Sequence, residues 1–285
     1  MTSELVFVGL GLSGVGGMTV SAMDALKGCD RIFAEFYTSS LIGTEAEELE
    51  AAIGREITVV YRQEVEEGHA IIDSARECRT AFVCPGDTML ATTHVDLRIQ
   101  AVLENIPVRI FYGVSIFGAC PAALGLQPYK FGRTVTVPFP EKGYHPKSPY
   151  DHIMENKKRG LHTMILLDIR AEELRYMTAH EAIEWLLASE EEWQEGLVGD
   201  KTVLCVVSHA GAPDQKVFAG YPYDLLDKDL GAPLQTVVLP GEMHFMEAEA
   251  LVDFAGAPPE IVGDDRRWQG AFAFPPPKAR VYGGG

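Results

Sequence analysis

The alternation of short β-rich runs with helical patterns is the feature of this sequence that most constrains its fold. Apolar runs begin near positions 5, 31, 56, 80 and 108, and helical patterns lie between several of them. Strands that alternate with helices form mostly parallel sheets covered by helices on both faces. We therefore predict an α/β fold, with a mostly parallel sheet in the first part of the chain.

The composition of the chain changes after Tyr112. Residues 114–131 are rich in Gly, Ala and Pro, which is typical of a connection with one short helix. Further apolar runs begin near positions 134, 163, 202 and 234, separated by long helical stretches. We predict an N-terminal α/β domain at 1–113, a hinge at 114–131, a C-terminal α/β domain at 132–262 and a Pro/Gly-rich tail at 263–285.

The composition excludes several classes of protein. Apolar residues make up 47% of the 285 residues, as in a globular chain. The formal net charge of -17 argues against nucleic-acid binding, because phosphate contacts need Lys and Arg. No apolar run approaches the roughly 20 residues of a membrane span, and the first residues do not resemble a signal peptide. We expect a cytoplasmic protein that binds neither nucleic acid nor membranes.

No metal or disulfide pattern is visible. The five cysteines lack the close spacing of zinc or redox motifs, and their odd number indicates reduced thiols. His244 and Glu247 lie one helical turn apart, which permits a metal pair. Because no other ligand has a matching spacing, we expect a surface helix there and no metal site.

The glycine-rich segment GLGLSG, Gly9 to Gly14, matches the G-x-G-x-x-G pattern of dinucleotide-binding proteins. Glu35 ends the next strand, where such proteins carry the acid for the ribose. The following helix, however, begins late, near Met18 or Thr19. An NAD(P)-dependent oxidoreductase, a flexible turn and another cofactor-facing turn therefore remain open interpretations.

The stretch FVCPGDTMLATTH, Phe82 to His94, raises a second question. An apolar strand stops at a Pro-Gly turn and is followed by one carboxylate, Asp87. Ligands of open α/β sheets bind at the carboxyl ends of the strands. Asp87 could hold a hydroxyl or amino group of a ligand there, or accept hydrogen bonds from backbone N–H groups of its own turn.

Several motifs taken together resemble one family. They are VGLGL (8–12), AEFYTS (34–39), PGD-x-x-x-ATTH (85–94), SI (115–116), YKFG (129–132), SPYD-x-I-x-EN (148–156), RGLHT…LLDI (159–169), MTA-x-EA (177–182) and HFMEAEAL (244–251). In this order and spacing the chain resembles the archaeal diphthine synthases, which belong to the tetrapyrrole-methylase-like class of methyltransferases. The resemblance covers about residues 5 to 260.

The resemblance implies a fold and an activity. Members of the family are homodimers of two α/β domains of the tetrapyrrole methylase-like type, with the cofactor in the cleft between the domains. They use S-adenosylmethionine (SAM), release S-adenosylhomocysteine, and methylate the amino group of 3-amino-3-carboxypropyl-histidine on translation elongation factor 2, in diphthamide biosynthesis. The alternative function within the same fold is that of a precorrin-type tetrapyrrole methyltransferase. A third interpretation is a regulator that binds a nucleotide without catalysing a reaction.

The resemblance also implies which residues contact SAM. They are Leu12, Asp87, Leu90, Ser115, Ile116, Leu167, Ala210 and Gln235. Relatives often carry His at the position of Gln235, so the role of the side chain stays open there, whereas a backbone contact would survive the change. Thr88 stands where relatives usually carry Pro. The family does not depend on a single catalytic side chain, and we identify none.

Three further sets of residues have two interpretations each. His94 could accept the proton of the attacking amine or cap a helix. Tyr129, Lys130 and Phe131 could form a wall for the protein substrate or simply pack between the domains. GVSIFG, from Gly113, has one residue too many for the G-x-S-x-G elbow of serine hydrolases.

Overall fold

The computed structural model describes residues 3–41, 43–44, 46–141 and 144–263. The first five strands form one sheet in the order β3-β2-β4-β1-β5. All four strand pairs are parallel, as predicted. The strands are β1 (Glu4–Gly9), β2 (Arg31–Ala34), β3 (Thr58–Val59), β4 (Arg79–Cys84) and β5 (Val108–Phe111).

Helices cover both faces of this sheet. Along β1, Val6 and Val8 pack into one apolar cluster, whereas Leu5 and Phe7 pack into another on the opposite face. This alternation follows from the pleat, which directs successive side chains to opposite faces. The helices of this part are α1 (Val20–Lys27), α2 (Ala46–Ile53), α3 (Arg62–Glu66), α4 (Ala70–Glu77) and α5 (Val95–Leu103).

Helix α1 begins late after the glycine-rich segment, as predicted. Thr19 is its N-cap, and the Thr19 hydroxyl accepts a hydrogen bond from the N–H of Ala22 at 3.1 Å. A 3₁₀ turn at Val15–Gly17 separates β1 from the helix. No α-helix therefore starts at Gly14, where the dinucleotide pattern would place one.

The connection after β5 contains the short helix α6 (Ile116–Leu124). The Ser115 hydroxyl caps it by accepting from the N–H of Phe117 at 3.4 Å, and Gly125 ends it in the left-handed conformation. A 3₁₀ turn at Pro128–Lys130 follows. One short helix was expected in this segment, while its role as a hinge stays a prediction.

The second sheet is mixed rather than parallel. Its order is β11-β10-β12-β7-β6, and only β6 and β7 pair in parallel. A two-stranded hairpin, β8 with β9, follows β7. The strands are β6 (Val135–Val137), β7 (Thr163–Leu167), β8 (Ile169–Arg170), β9 (Arg175–Tyr176), β10 (Leu204–Ser208), β11 (Lys216–Gly220) and β12 (Gln235–Leu239).

Four helices accompany the second sheet: α7 (Ser148–Lys158), α8 (Ala179–Trp193), α9 (Pro222–Leu226) and α10 (Phe245–Ala255). Helix α8 begins with a capping box, in which Thr178 and Glu181 each bond the other's backbone N–H. The predicted tail, apart from Gly263, lies outside the described residues.

Helix α5 has an exposed apolar face. Val95, Ile99, Val102 and Leu103 are all more than half exposed, whereas Leu97 is buried against the sheet. The helix therefore has one apolar face for the core and a second that faces outward.

Two further features of the described residues concern the cysteines and the possibility of a membrane-spanning helix. All five cysteines are buried, unpaired thiols. Among the helices of the described residues, none combines the length and apolarity needed to cross a membrane.

Candidate functional site

A cavity of about 330 Å³ lies where the two sheets meet. Residues that follow each of the five parallel strands line one side of it. Residues of β6, β7, β10 and β12 and their following loops line the other side. The carboxyl edge of a parallel sheet is the usual ligand site of open α/β folds, so the position of the cavity agrees with the strand-end argument.

Main-chain atoms of two glycines form part of the cavity wall. Gly11 N–H donates to the Gly86 carbonyl at 3.1 Å, and Gly86 N–H donates to the Gly11 carbonyl at 2.7 Å. Both residues have positive φ, 78° and 69°, which disfavours residues with a side chain. The Pro-Gly turn after β4 is therefore paired with the glycine-rich turn after β1.

The ends of β1 and β5 also approach this turn closely. A Cβ atom on Gly9 would lie 2.5 Å from the Gly113 nitrogen, and one on Gly113 would lie 2.0 Å from the Gly86 carbonyl oxygen. No side chain fits between these backbones. The glycines at these positions are required for the convergence of three strand ends.

Asp87 is buried and connects two of these strand ends. Its Oδ1 accepts from the N–H of Met89 at 2.9 Å, and its Oδ2 accepts from the N–H of Gly113 at 3.1 Å. The first bond is the local turn that the sequence left open, and the second ties the end of β4 to that of β5. Asp87 also lines the cavity, so the structural role accompanies the predicted contact and does not exclude it.

The structure brings all eight residues of the predicted SAM site to this one cavity. They come from six separate segments that span most of the chain. That they contact SAM stays a prediction, since their convergence shows a shared cavity and not a bound molecule. The residues are Leu12, Asp87, Leu90, Ser115, Ile116, Leu167, Ala210 and Gln235.

The side chain of Gln235 is fully engaged within the protein. Its Oε1 accepts from the N–H of Ala179 at 2.7 Å. Its Nε2 lies within hydrogen-bond distance of the Ser208 hydroxyl and the carbonyls of Leu230 and Gly231. This arrangement favours a backbone contact over a side-chain contact with a ligand at Gln235, a choice that the sequence left open.

Glu35, the acid that a dinucleotide would need, is buried and does not line the cavity. Its carboxylate accepts from the N–H groups of Tyr37 and Thr38, both at 3.0 Å, and from the Thr38 hydroxyl. Burial raises its pKa despite these hydrogen bonds. Glu35 thus shapes the loop after β2, and the structure does not favour the NAD(P) interpretation.

His94 is also buried and lies outside the cavity lining. Its Nδ1 is 3.1 Å from the carbonyl oxygen of Thr88, which can only accept, so Nδ1 carries the proton. Burial lowers the pKa of His94 to about 4. It occupies the N-cap of α5 without a side-chain capping bond, so neither sequence interpretation describes it fully.

The donor atoms of Glu35, Cys84 and His94 lie within 4.8 Å of one another. Burial raises the pKa of the Glu35 carboxyl and of the Cys84 thiol, which disfavours the charged forms that bind metals. The Glu35 oxygens already accept three hydrogen bonds. This donor set therefore disfavours a metal ion, because burial opposes the charged forms of two of its three members.

Glu247 corrects the expectation of a surface helix after His244. Its side chain is fully buried and accepts from Lys130 Nζ, from the N–H of Gln127 at 2.9 Å and from the N–H of His244 at 2.8 Å. His162 Nδ1 accepts from the N–H of Gly241, so its Nε2 carries the proton and donates to Glu247 at 3.0 Å. Lys130, a suggested substrate contact, is a member of this ion-pair network and does not line the cavity.

The sequence interpretation missed the cavity wall next to β2 and β3. Tyr37, Thr38, Ser39 and Ser40 follow β2, and Arg62 follows β3. The rule that ligands lie beyond the carboxyl ends of parallel strands would have included both segments. Asp168, after β7, lines the opposite side.

Comparisons with known proteins agree with this architecture. Residues 4–225 match the profile of the family described as Tetrapyrrole (Corrin/Porphyrin) Methylases. The chain is 40% identical to the diphthine synthase of Methanothermobacter thermautotrophicus over 90% of this chain and 98% of that protein. It is 43% identical to the diphthine synthase of Methanocaldococcus jannaschii, over 87% and 97% of the two chains.

A solved structure shares the fold of this chain. A crystal structure of diphthine synthase superimposes with a TM-score of 0.83 at 31% identity, and the match covers 91% of this chain and 99% of that one. The resemblance inferred from the motifs is thereby confirmed. The chain therefore belongs to the tetrapyrrole methylase family and, within it, to the diphthine synthases, and it is a methyltransferase.

Proposed function

We propose that this chain binds SAM in the cavity between the sheets and methylates 3-amino-3-carboxypropyl-histidine on translation elongation factor 2. The acceptor atom is the amino group of that modified side chain, and the product belongs to the diphthamide pathway. The observation that supports the proposal is the convergence of all eight predicted cofactor residues on one cavity. The similarity to proteins named diphthine synthase supports the class of reaction, and the acceptor is the one that the resemblance of the motifs implies.

The cavity suits a ligand with apolar and polar parts. Leu12, Ile116 and Leu167 offer apolar surface, and Asp87 and Ser115 offer polar atoms. Nothing among the described residues lies within 4 Å of the position that a Cβ on Gly86 would occupy, so the backbone there borders open space. A nucleoside with an amino-acid side chain could therefore approach the main chain closely at this turn.

The mechanism needs alignment and exclusion of water more than a reactive side chain. When bound, SAM supplies a methyl group on a sulfonium sulfur, so the amine lone pair forms the new bond and the C–S electron pair stays on sulfur. The apolar side chains of Leu12, Ile116 and Leu167 line the cavity and would exclude water from the reacting atoms of a bound cofactor and acceptor. The carboxylate of Asp87 adds negative charge at the cavity wall, next to the converging strand ends.

Among the described residues, the buried carboxylate at the cavity, Asp87, already accepts hydrogen bonds from two backbone N–H groups. His94 Nε2 faces Glu35 and has no access to the lining. We propose that the proton leaves to solvent through the cavity mouth. A neutral amine is the reactive species, so turnover should rise with pH until the acceptor amine is deprotonated.

Calorimetric titration with SAM, S-adenosylhomocysteine and NADH tests the cofactor first. We expect micromolar binding of both sulfur compounds and none of NADH. Mass spectrometry of elongation factor 2 that carries the unmethylated modification, incubated with enzyme and SAM, then tests the acceptor. Binding of NADH alone, or SAM binding without any added mass on the factor, would refute the respective part of the proposal.

We further propose that the chain is a cytoplasmic homodimer, as the resemblance implies. The outward apolar face of α5, formed by Val95, Ile99, Val102 and Leu103, supports self-association, because an exposed contiguous apolar patch marks an interaction site. Tyr112 and Val114, just after the edge strand β5, are also at least half exposed. A cytoplasmic location would give access to a translation factor.

A further inference from the structure

We propose that Arg62 binds the carboxylate of the methyl acceptor and so directs the acceptor amine toward the cofactor. The inference rests on the proposed function, in which the acceptor carbon bears both an amino group and a carboxylate. It assigns a substrate-positioning role to a residue on the cavity wall beside β2 and β3. None of the eight predicted cofactor residues comes from that wall.

Arg62 stands at the first position of α3, directly after β3, and lines the cavity. Its guanidinium carbon lies 5.3 Å from the centroid of the Tyr37 ring, within the range of a cation–π contact. Tyr37 belongs to the loop whose backbone is fixed by buried Glu35. The aromatic ring thus positions the guanidinium without neutralising its charge.

The charge of Arg62 has no partner among the described residues. No carboxylate of that part of the chain lies within 4 Å of its guanidinium, whereas Arg76 pairs with both Asp73 and Glu104. Arg62 is the one Lys or Arg among the residues that line the cavity. An unpaired guanidinium at a cavity wall is suited to a carboxylate, since its planar fork can form two parallel hydrogen bonds with one.

The two acidic side chains of the cavity do not compete for Arg62. Asp87 accepts from the N–H groups of Met89 and Gly113, and Asp168 accepts from those of Phe139 at 3.1 Å and Ile169 at 3.0 Å. Both carboxylates are therefore satisfied by the backbone. In a chain with a net charge of -17, an anionic group needs a local cation to enter the cavity.

The geometry of the acceptor explains why a carboxylate contact would matter for the reaction. The amine and the carboxylate share one carbon atom, so a bidentate contact to the carboxylate restricts the directions in which the amine can point. In-line attack on a methyl group needs such a restriction. Loss of the contact would therefore reduce both binding and alignment of the acceptor.

The test compares Arg62→Ala and Arg62→Lys with the wild type in methyl transfer from SAM to elongation factor 2 carrying the unmethylated modification. We expect Arg62→Ala to lower kcat/KM for the factor about 10- to 100-fold, as for a lost charged hydrogen bond. Arg62→Lys should fall between the two. Calorimetry should show the same affinity for S-adenosylhomocysteine in all three proteins, and millimolar guanidinium should partly restore turnover of Arg62→Ala.

Arg109→Ala is the matched control, because Arg109 also stacks on an aromatic ring, that of Phe111 at 5.0 Å, but lies outside the cavity lining. It should keep wild-type kcat/KM. Unchanged kcat/KM in Arg62→Ala would overturn the inference, and so would a loss of S-adenosylhomocysteine affinity, which would assign Arg62 to the cofactor. If the wild type itself fails to methylate the factor, the proposed function fails, independently of Arg62.

Discussion

Nε2 of His94 lies 3.5 Å from Oε1 of Glu35, and both side chains are fully buried. Because Nδ1 of His94 donates to the Thr88 carbonyl, Nε2 of the neutral ring presents its lone pair toward the carboxyl group. Burial lowers the pKa of His94 and raises that of Glu35. The pair is thus stable as a neutral imidazole facing a carboxyl group that readily takes up a proton.

His94 predicts a loss of stability in acid. Because burial lowers its pKa from 6.5 to about 4, the folded state resists protonation that the unfolded chain accepts. The contribution of His94 to the free energy of unfolding is complete above pH 6.5 and is lost as the pH falls through about 4. The loss reaches about 3 kcal/mol. Denaturant unfolding between pH 7 and 4 should show a smaller loss in His94→Gln. His69→Gln, at an exposed histidine, should lose as much as the wild type.

Glu35 predicts the opposite trend. Because its folded pKa is raised above the ordinary value of 4.5, its contribution is complete below that value and is lost as the pH rises through the folded pKa. In the wild type, the loss of stability that His94 causes in acid should therefore be partly cancelled by the gain from Glu35. In Glu35→Gln the acid-induced loss of unfolding free energy should be steeper than in the wild type. A shallower loss would contradict the assignment.

The buried network around Glu247 predicts a structural role for Lys130. Burial alone would raise the pKa of Glu247, but hydrogen bonds from Lys130, two backbone N–H groups and His162 lower it to about 2. Lys130→Met leaves a buried carboxylate without its cation and should reduce the unfolding free energy by about 3 kcal/mol. The folded fraction should retain near wild-type turnover, in contrast to a substrate-wall role.

A double-mutant cycle completes this test. Lys130→Met combined with Glu247→Gln should be less destabilised than the sum of the two single variants, because the second change removes the unpaired charge. Lys158→Met, at an exposed lysine of α7, is the control and should change stability little. Additive effects in the cycle would mean that the two side chains do not depend on each other.

Asp87 and Gln235 predict opposite outcomes, although both line the cavity. Asp87→Ala should weaken S-adenosylhomocysteine binding at least about tenfold, since it removes a charged acceptor and frees the ends of β4 and β5. Asp229→Ala is the control, because Asp229 similarly accepts from the N–H of Gly231 in an exposed turn. Unchanged affinity in Asp87→Ala would remove Asp87 from the predicted site.

Gln235→Ala should reduce the free energy of unfolding but leave the affinity for S-adenosylhomocysteine nearly unchanged. Its side chain bonds the N–H of Ala179 and the loop at Leu230, so its removal leaves buried polar groups unpaired, at a cost of about 1–3 kcal/mol. Calorimetry on the folded variant should give an affinity for S-adenosylhomocysteine close to that of the wild type. A large loss of affinity at unchanged stability would show a side-chain contact with the cofactor.

The outward face of α5 predicts where the proposed dimer forms. Ile99→Glu together with Val102→Glu places two charges in an apolar interface and should convert a dimer into a folded monomer, measured by light scattering after gel filtration. Val20→Glu, at an exposed apolar residue of α1, should leave the dimer intact. A dimer that survives the α5 changes would place the interface elsewhere, and a monomeric wild type would refute the homodimer.

The first sheet could be predicted from the sequence because its pattern is local. Buried parallel strands produce continuous apolar runs, and β1 and β4 agree with the predicted runs to within about one residue. The apolar run predicted from position 56 corresponds in the structure only to the short strand β3, Thr58–Val59. This edge strand is short because it pairs with β2 over just two residues. The edge strand β11 was missed, because its first residue is charged and only two of its five residues are buried.

The site was predictable to the extent that family motifs mark it. Contacts between distant segments were not, because no local pattern indicates them. Glu247 meets His162 and Lys130, which lie 85 and 117 positions away in the chain, so HFMEAEAL gave no sign of a buried carboxylate. Likewise, the spacing of Glu35 suited a ribose contact, but the loop that it organises turns the carboxylate away from the cavity.

Gly11 and Gly86 present only main-chain surface to a ligand, and their N–H and carbonyl groups are paired with each other. Neighbouring side chains can therefore vary without altering the main-chain surface that this part of the wall presents. Variants selected for a different methyl donor should accumulate insertions or deletions in the turns after β1 and β4. Side chains should be tolerated poorly at Gly11, where a Cβ would lie 2.5 Å from the Gly17 carbonyl oxygen, and better at Gly86, where only the positive φ opposes them.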